Sequence, residues 1–374
     1  MTRIAIDARK LADFGIGSYV AGLIGGFAAL DSTTEFLLLA PRERHADLGA
    51  LPANFRWIDE RAAGYSLGEQ LGLGRRLAAQ APDLFHSPHY VLPARLRMRV
   101  VVTIHDLIHL LFPEYLPHRL ALWYARAMLR RAVRRGDRIL TGTAAAADDL
   151  ARHLGADPAR IRVVAHGVDD RFRRPLPPGE LRAQLARHGL VPGYLLVVGN
   201  PKPHKNLDGA LRAFAAAGPG VAERLVLLGG ARLDQPPLAE LIAELGLAGR
   251  VDSPGRVASE ELPAFYQGAT LLLLPSLYEG FGLPVAEAMA SGTPVVASNT
   301  PAVAEVAGDA AELVDPRDIP AFASSLRRLV ADPERRAELA RRGRARAERW
   351  RWETAARQTL AVYREALDSR EPAA

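Results

Sequence analysis

Short apolar runs alternate with longer amphipathic stretches along the first half of the chain, and this pattern predicts strands and helices in turn. Five runs have the length and composition of buried strands: RIAID (3–7), FLLLA (36–40), DLFH (83–86), VVVTIH (100–105) and RIL (138–140). The intervening stretches GSYVAGLIGGFAAL and RLALWYARAMLRRAVRR have helical spacing. Repeated strand–helix alternation is typical of a parallel sheet covered by helices on both faces.

The alternation pauses at residues 165–193 and then restarts. Six further strands are predicted: YLLVVG (194–199), RLVLLG (224–229), RVDS (250–253), TLLLLP (270–275), TPVVAS (293–298) and AELVD (311–315). We therefore predict an α/β protein with two doubly wound, Rossmann-like domains, at 1–170 and 194–350, joined by a linker at 171–193 that contains RRPLPPGE. Residues 351–374 are expected to form a helix that crosses back to the first domain. Parallel sheets bind ligands at the carboxyl ends of their strands, so two facing domains would enclose a central cleft.

Composition excludes several classes of protein. The chain has 374 residues, 49% of them hydrophobic and 24% charged, as in ordinary soluble globular proteins. It has no cysteine, which excludes disulfides, thiolate metal sites and a cysteine nucleophile. MTRIAIDARK turns polar too early for a signal peptide, and no apolar run reaches the ~18 residues that a spanning helix needs. We expect a cytoplasmic protein.

The charge of the chain indicates anionic partners. The net charge is +6 and the pI about 9.8, which leaves nucleic acid, phosphate-bearing substrates and an anionic membrane face open. Of 48 basic residues only three are lysines, and two of them, Lys202 and Lys205, stand close together in GNPKPHKN. Against an arginine background this pair suggests binding through compact ammonium groups, although solvated surface lysines would look the same.

The stretch PSLYEGFGLPVAEAMASG (275–292) carries the strongest candidate chemistry. It follows a predicted strand, Pro284 suits the first turn of a helix, and Gly292 suits its end. The glycines of EGFGL would let backbone amides approach an anion at the helix start. Glu279 and Glu287 flank this loop, and each carboxylate could accept two hydroxyl hydrogen bonds. The pattern therefore indicates a diphosphate flanked by two sugars; a surface turn with solvated acids is the alternative.

The sequence resembles the retaining GT-B glycosyltransferases of glycosyltransferase family 4. EGFGLPVAE matches the E-x7-E motif of that family, and similar stretches follow the family order along essentially the whole chain: IDARKLADFGIGSYVAGLI, FHSPHYVLP, VVTIHDLIHLLFPEYLP, RVVAHGVD, VGNPKPHKNLDGALRAF, GRVASEELPAFYQGATLLLLPSLYEGFGLPVAEAMASGTPVVAS and PAVAEVAGDAAELVDP. The resemblance implies a GT-B fold, with the acceptor bound by the first domain and a nucleotide-sugar donor bound by the second.

The resemblance also implies roles for residues of the second domain. Glu287 would bind the ribose hydroxyls of the donor, Glu279 would lie near the transferred sugar, and Lys205 would bind the diphosphate. The loop residues that would meet sugar or phosphate through their backbone are Gly280, Phe281, Gly282 and Leu283. Arg256 and Val257 fall where the family main chain holds the base. The family usually has an arginine near Asn200; its absence suggests Lys202 or a main-chain nest as the second phosphate ligand.

Two motifs of the first domain are weaker. His105 ends a predicted strand in TIHDLIH, and the resemblance places it against the donor sugar. His105 and His109 with Asp106 between them could instead hold a metal, but this needs a helix through 105–109. DFGIGSY lacks the third glycine of a dinucleotide fingerprint, and the resemblance implies that Gly15 and Gly17 lie in a flexible loop beside the donor diphosphate and the acceptor.

The stretch 117–138 is basic and amphipathic, with Trp123 and Tyr124 suited to an interface. It could touch an anionic inner membrane face, as in family members with lipid-linked acceptors, or simply pack on the sheet with solvated arginines.

Together these features predict a retaining, metal-independent hexosyltransferase without cofactor. Its catalytic residues would be His105, Lys205 and Glu279, and the resemblance implies front-face attack. GDP-mannose is the preferred donor because the PHKN and TIHDL segments resemble family mannosyltransferases, and the acceptor would be a glycan or lipid-linked saccharide. A UDP-glucose-type donor and a sugar-nucleotide epimerase of the same fold are alternatives. We expect no nucleic-acid partner because no binding module is recognisable.

Overall fold

The computed structural model describes residues 1–13, 15–62, 69–116, 118–221 and 224–369. The chain forms two compact units. Unit 1 consists of Met1–Gly167 together with the segment from Trp350 onward, and unit 2 is Val168–Arg349. The fold is that of two Rossmann-like parallel sheets.

Unit 1 contains a seven-stranded sheet in the order β3-β2-β1-β4-β5-β6-β7, and all its pairings are parallel. Its strands are β1 Arg3–Asp7, β2 Glu35–Ala40, β3 Phe55–Asp59, β4 Leu84–Ser87, β5 Arg99–Thr103, β6 Arg138–Thr141 and β7 Ile161–Val163. Its α-helices are α1 Ile16–Leu30, α2 Gly74–Ala79, α3 Ile108–Leu111, α4 Arg119–Arg135, α5 Ala144–Leu154 and, from the end of the chain, α14 Trp352–Asp368.

The strands of unit 1 are apolar on both faces because helices cover both. Ile4 and Ile6 of β1 face a core cluster shared with α1 and α14, whereas Ala5 faces a cluster shared with α2, α4 and α5. Side chains alternate between the faces of a strand, so a continuous apolar run such as RIAID fits a doubly covered strand.

Helix α14 packs closely on α1. A Cβ atom at Gly22 would lie 2.1 Å from Trp352, and one at Gly26 would lie 2.5 Å from the Cβ of Ala356. The small residues of α1 therefore make the groove into which α14 fits, and residues from Trp350 onward belong to unit 1.

Unit 2 contains a six-stranded parallel sheet in the order β10-β9-β8-β11-β12-β13. Its strands are β8 Tyr194–Val198, β9 Leu225–Leu228, β10 Val251–Gly255, β11 Ala269–Leu274, β12 Val295–Ser298 and β13 Glu312–Val314. Its α-helices are α6 Pro178–Ala186, α7 Leu207–Ala217, α8 Leu238–Glu244, α9 Leu262–Gly268, α10 Leu283–Ser291, α11 Pro301–Ala307, α12 Ile319–Ala331 and α13 Pro333–Ala347.

Two features differ from the pattern read along the sequence. Edge strands β3 and β7 were not predicted: FRWID carries charged residues, and IRV is only three residues long. Residues 171–193, expected to be a linker, contain α6 and belong to unit 2. No helix among the described residues is long and apolar enough to cross a membrane.

Candidate functional site

The strand order of unit 2 predicts a ligand-binding crevice between strands β8 and β11. Connections run to one side from β8 through β9 to β10 and to the other from β11 through β12 to β13, so the order reverses between β8 and β11. At such a switch point the loops after the two strands separate and leave room at their carboxyl ends. The loop after β8 carries Asn200, Lys202 and Lys205, and the loop after β11 carries Glu279 and leads into α10 with Glu287.

Lys205 and Glu279 meet across this switch point. The ammonium Nζ of Lys205 lies 2.7 and 2.9 Å from the two carboxylate oxygens of Glu279. Both side chains are mostly buried, with 15% and 10% of their surface exposed. Ser276 Oγ donates a further 2.7 Å hydrogen bond to Oε1 of Glu279. An anion entering the crevice would find an ammonium group held in place by a carboxylate that it can replace.

Asn206 fixes the backbone that carries Lys205. Its side-chain Nδ2 donates to the carbonyls of Pro275 and Pro316, at 2.9 and 3.0 Å, while its Oδ1 accepts from the amide of Gly209 as the cap of α7. Asn206 has φ +54°, a left-handed conformation that asparagine tolerates better than most residues. One side chain thus ties the loops after β8, β11 and β13 together.

Glu287 projects from α10 and is held by Tyr266 of α9, whose hydroxyl donates to its Oε2 at 2.6 Å. Burial raises the pKa of Glu287 to about 7, and the nearby charge of Asp169 acts in the same direction, while the Tyr266 hydrogen bond and Arg171 oppose the rise. A carboxyl group with such a pKa changes charge near neutral pH, which is typical of ligand sites.

The glycine loop ends at the start of α10. Gly282 is the N-cap with φ +93°, no side chain of the described residues caps the helix, and the first turn contains no acidic residue. Gly280 precedes Phe281, which is 4% exposed, and Leu283 is the first helical residue. This helix start therefore offers backbone amides to an anion beside Lys205.

Asn200 and Lys202 lie on the same loop as Lys205 but are not part of its ion pair. The Oδ1 of Asn200 is buried and has no hydrogen-bond partner among the described residues. The side chain of Lys202 is exposed, and it makes no ion pair with any residue in the described part of the chain. Lys202 is therefore a cation available at the rim of the crevice.

Arg256 and Val257 follow β10 at the same edge of the sheet, two strands away from β8. A cavity of about 340 Å³ lies beside them. It is lined by Gly230, Ala231, Arg232, Leu233, Asp234, Ser253, Pro254 and Gly255. Its size and position suit a planar ring at the end of a ligand that begins at Lys205.

In unit 1, both ring nitrogens of His105 are engaged within the unit. Nε2 lies 3.0 Å from the carbonyl oxygen of Pro88, and Nδ1 lies 3.2 Å from Nε2 of His166. A carbonyl only accepts, so Nε2 of His105 carries the proton. Burial lowers the pKa of both imidazoles, so His105 is neutral and its Nδ1 accepts from His166. The contact of His105 with a donor sugar stays a prediction, and in this state it offers no free ring nitrogen.

The two other candidate residues of unit 1, Gly17 and His109, make contacts within that unit. Gly17 lies in the first turn of α1, where a Cβ would be 2.2 Å from the carbonyl oxygen of Leu11; Phe14 of the same loop lies outside the described residues. His109 does not face His105, because its Nδ1 lies 2.9 Å from the hydroxyl of Tyr90.

No group of three or more histidine, aspartate or glutamate side chains that could hold a metal ion is found among residues 1–13, 15–62, 69–116, 118–221 and 224–369.

Four residues that hold these groups were not predicted from the sequence: Asn206, Tyr266, Ser276 and His166. Asn206 has a sequence signal, since an asparagine before an apolar helical run is a typical N-cap. Tyr266 reads as one more apolar residue of α9, and only the pairing of α9 with α10 brings it to Glu287.

Comparison with known proteins shows the family and the fold of the chain. The family model described as Glycosyltransferase Family 4 matches residues 15–172, and the model described as Glycosyl transferases group 1 matches residues 187–346. O-antigen chain mannosyltransferase B of Escherichia coli is 32% identical over 284 residues, covering 75% of this chain and 74% of that protein. MMP alpha-(1->4)-mannosyltransferase of Mycolicibacterium hassiacum is 36% identical over 253 residues, which cover 66% of this chain but only 58% of that protein.

Among solved structures, Anabaena Alr3699/HepE in complex with UDP and glucose has a TM-score of 0.78 and 18% sequence identity. The match covers 98% of this chain and 100% of that one. At this identity the likeness shows the fold.

Proposed function

The chain belongs to glycosyltransferase family 4 and is a glycosyltransferase of the GT-B fold; from this premise we propose that it transfers a hexose from a nucleotide-sugar to a glycan or lipid-linked saccharide with retention of configuration. The reaction needs no metal ion in this proposal. Mannose from GDP-mannose is the preferred donor.

One observation carries the proposal: Lys205, Glu279 and the start of α10 meet at the switch point of unit 2. Glu287 lies on the same helix, about one turn after its start. A sugar nucleotide has the matching order of groups. Its diphosphate fits Lys205 and the helix-start amides, its ribose hydroxyls fit Glu287, and its base fits the 340 Å³ cavity beside Arg256.

The chemistry follows from where charge develops. As the bond from the anomeric carbon to the phosphate oxygen breaks, its electron pair remains on the leaving diphosphate. Lys205 and the amides of α10 stabilise that charge, and they are already in place before the reaction. The acceptor oxygen bonds to the anomeric carbon on the same face, and its proton passes to the leaving phosphate oxygen. Glu279, released from Lys205, accepts hydroxyl hydrogen bonds of the transferred sugar.

The donor preference has separate support. The two relatives described above are both named mannosyltransferases, which favours mannose. HepE was solved with UDP and glucose, and this keeps a UDP-linked donor as the second candidate. A sugar-nucleotide epimerase of the same fold would consume the donor without an acceptor, so it is separated by product analysis.

We further propose that α4 holds the enzyme at an anionic lipid surface, where a lipid-linked acceptor would be presented. The helix has six arginines and no acidic residue. Its buried side consists of Ala125, Leu129, Ala132 and Val133, and on its opposite side Leu120 and Trp123 are 76% and 64% exposed. The predicted stretch begins at residue 117, which lies outside the described residues, and the exposed side begins at His118. Apolar anchors beside the exposed arginines Arg130 and Arg134 suit acidic headgroups.

Calorimetric titration with GDP, UDP, ADP and dTDP, each with and without EDTA, tests the donor proposal. We expect one nucleotide to bind much more tightly than the other three, with an affinity that EDTA does not change. The corresponding sugar nucleotide is then incubated with saccharide acceptors, and the anomeric proton of the product is assigned by NMR. An inverted anomer, a metal requirement or an epimerised donor would each contradict the proposal.

A further inference from the structure

Unit 2 contains a second cavity, of about 500 Å³, at the opposite edge of its sheet. Ala269 begins β11 and Thr293 precedes β12, so the cavity lies at the amino ends of these strands, away from Lys205. Its walls come from the segment after the 3₁₀ turn Asp170–Arg173 and from α6, α9, α10 and α13. The lining residues are Arg173, Pro175, Leu181, Gln267, Ala269, Ser291, Gly292, Thr293 and Arg344.

Two arginines line the cavity, and no acidic residue lines it among the residues that the structure describes. Arg344 of α13 makes no hydrogen bond or ion pair with any residue that the structure describes. Its guanidinium lies against Gly292, where a Cβ atom would be 2.1 Å from Nη2. Gly292 has φ +75° and ends α10, so both the backbone turn and the room for the guanidinium need glycine.

A buried hydroxyl lies beside this cation. Ser291 is 7% exposed, and its Oγ has no hydrogen-bond partner within the described part of the chain. A buried polar group without a partner is costly, and a bound ligand would remove that cost. On the other wall, Arg173 is held in place by the carbonyls of Val168 and Ala347 at 2.7 and 2.9 Å. Arg344 thus supplies a charge that no described residue pairs, whereas Arg173 also forms ion pairs with Asp170 at 3.3 Å and Glu348 at 3.5 Å.

We propose that this cavity binds a small phosphate monoester of about the size of a hexose phosphate. The guanidinium of Arg344 would hold the phosphate through paired hydrogen bonds, and the hydroxyl of Ser291 would donate a hydrogen bond to the ligand. Planar guanidinium groups match phosphate oxygens in this way, and a cavity of this volume encloses a ligand larger than a bare anion.

The site is connected to Glu287 through two hydrogen bonds. Thr293, which lines the cavity, donates from Oγ1 to the carbonyl of Tyr266 at 2.7 Å, and the Tyr266 hydroxyl donates to Glu287 at 2.6 Å. Ser291 also follows Glu287 by one turn of α10. A ligand that orders this end of α10 would change nucleotide affinity, and nucleotide would change ligand affinity by the same factor. This regulatory part rests on the proposed function; the binding site does not.

Binding is measured on the full chain without nucleotide, by calorimetry and phosphorus NMR, with inorganic phosphate and glucose 6-phosphate as probes. Phosphate could also bind at Lys205, so Lys205→Ala is titrated in parallel. We expect glucose 6-phosphate to bind both the original chain and Lys205→Ala, and Arg344→Ala to weaken it about tenfold or more. Arg341→Ala is the matched control, since Arg341 is an exposed arginine of the same helix that does not line the cavity.

Equal affinity of the Arg344→Ala and Arg341→Ala variants would overturn the proposal, as would the absence of binding to the original chain or its loss in Lys205→Ala alone. Ser291→Leu provides a second, independent variant, because a larger side chain fills the cavity without removing charge. It is expected to abolish binding of glucose 6-phosphate while nucleotide still binds. Unchanged binding in a folded Ser291→Leu variant would place the ligand elsewhere.

Discussion

The hydroxyl of Tyr266 donates a 2.6 Å hydrogen bond to Oε2 of Glu287. Tyr266 is fully buried, and burial raises the pKa of Glu287 to about 7. The hydrogen bond favours the carboxylate and opposes that rise. The charge of the residue proposed to bind ribose is therefore set by its burial and by the opposing effect of this hydrogen bond, and it changes near pH 7.

We predict that nucleotide affinity rises with pH. A carboxylate accepts two hydroxyl hydrogen bonds, whereas a protonated carboxyl must donate at one oxygen, so ribose binding selects the ionised form. With a pKa of about 7, the apparent dissociation constant should fall about tenfold between pH 6 and pH 8. Calorimetry with the cognate nucleoside diphosphate across this range measures the effect.

Two variants separate Glu287 from other groups that titrate. Glu287→Gln should bind more weakly and lose the pH dependence. Tyr266→Phe removes the hydrogen bond that lowers the pKa, so its curve should keep its shape and move to higher pH. A pH dependence that survives in Glu287→Gln would assign it to another group.

Glu287 should also destabilise the nucleotide-free protein at high pH. Its folded-state pKa is raised from its ordinary value of 4.5, so its favourable contribution to folding is complete below pH 4.5 and is lost as pH rises through about 7. Thermal unfolding of Glu287→Gln and of the original chain at pH 5 and pH 8 tests this sign. The variant should gain stability relative to the original chain at pH 8; a gain at pH 5 alone would contradict it.

Lys205→Ala should lower turnover far more than Lys202→Ala. Lys205 lies in the crevice at 2.7 Å from Glu279, and loss of one group that stabilises developing charge typically costs about 10²–10³ in rate. Lys202 is exposed at the rim of the same loop and should affect mainly the Michaelis constant. Initial rates over a range of donor concentrations separate the two effects.

The loss of Lys205 also leaves the Glu279 carboxylate partly buried without its cation. Part of any activity loss could therefore come from lower stability, so denaturant unfolding accompanies the kinetics. The double variant Lys205→Ala/Glu279→Gln should recover stability but not turnover. Recovery of turnover in the double variant would show that Lys205 acts only by neutralising Glu279.

Much of this arrangement could be predicted from the sequence. Strand–helix alternation and the family resemblance predicted the GT-B fold, because doubly covered parallel strands read as continuous apolar runs. They also pointed to Lys205 and Glu279, residues 74 apart that the β8–β11 switch point brings together. Whether each proposed site residue binds donor stays a prediction.

Contacts between distant side chains could not be predicted. The partner of Glu287 is 21 residues away on another helix, and its distance depends on how α9 and α10 pack. His105 and His166 are 61 residues apart on different strand ends, and neither motif indicates that they share a hydrogen bond. Side-chain pairing of this kind follows from register and helix packing, which local periodicity does not contain.

The proton arrangement of His105 and His166 is a further prediction. Long-range nitrogen–proton NMR on histidine-labelled protein should show both imidazoles neutral and protonated at Nε2 at pH 8. His166→Asn can still donate to Nδ1 of His105 and should preserve its tautomer, whereas His166→Ala should not restrict it. A His105 resonance pattern with the proton on Nδ1 would contradict the arrangement.

The exposed side of α4 should bind vesicles that contain anionic lipid. Leu120, Trp123, Ala127, Arg130 and Arg134 are all exposed and follow one another at intervals of three or four residues, so they lie on one side of the helix. We expect co-sedimentation with phosphatidylglycerol-containing vesicles, little binding to phosphatidylcholine alone, and weaker binding at high salt.

Trp123→Ala should remove the apolar anchor of α4, and the double variant Arg130→Gln/Arg134→Gln should lose about 2 kcal/mol of binding free energy, at about 1 kcal/mol per charge. Val191→Ala is the control, because Val191 is 71% exposed but lies in unit 2. Equal sedimentation of all four proteins, or binding that ignores lipid charge, would show that α4 is an ordinary solvated helix.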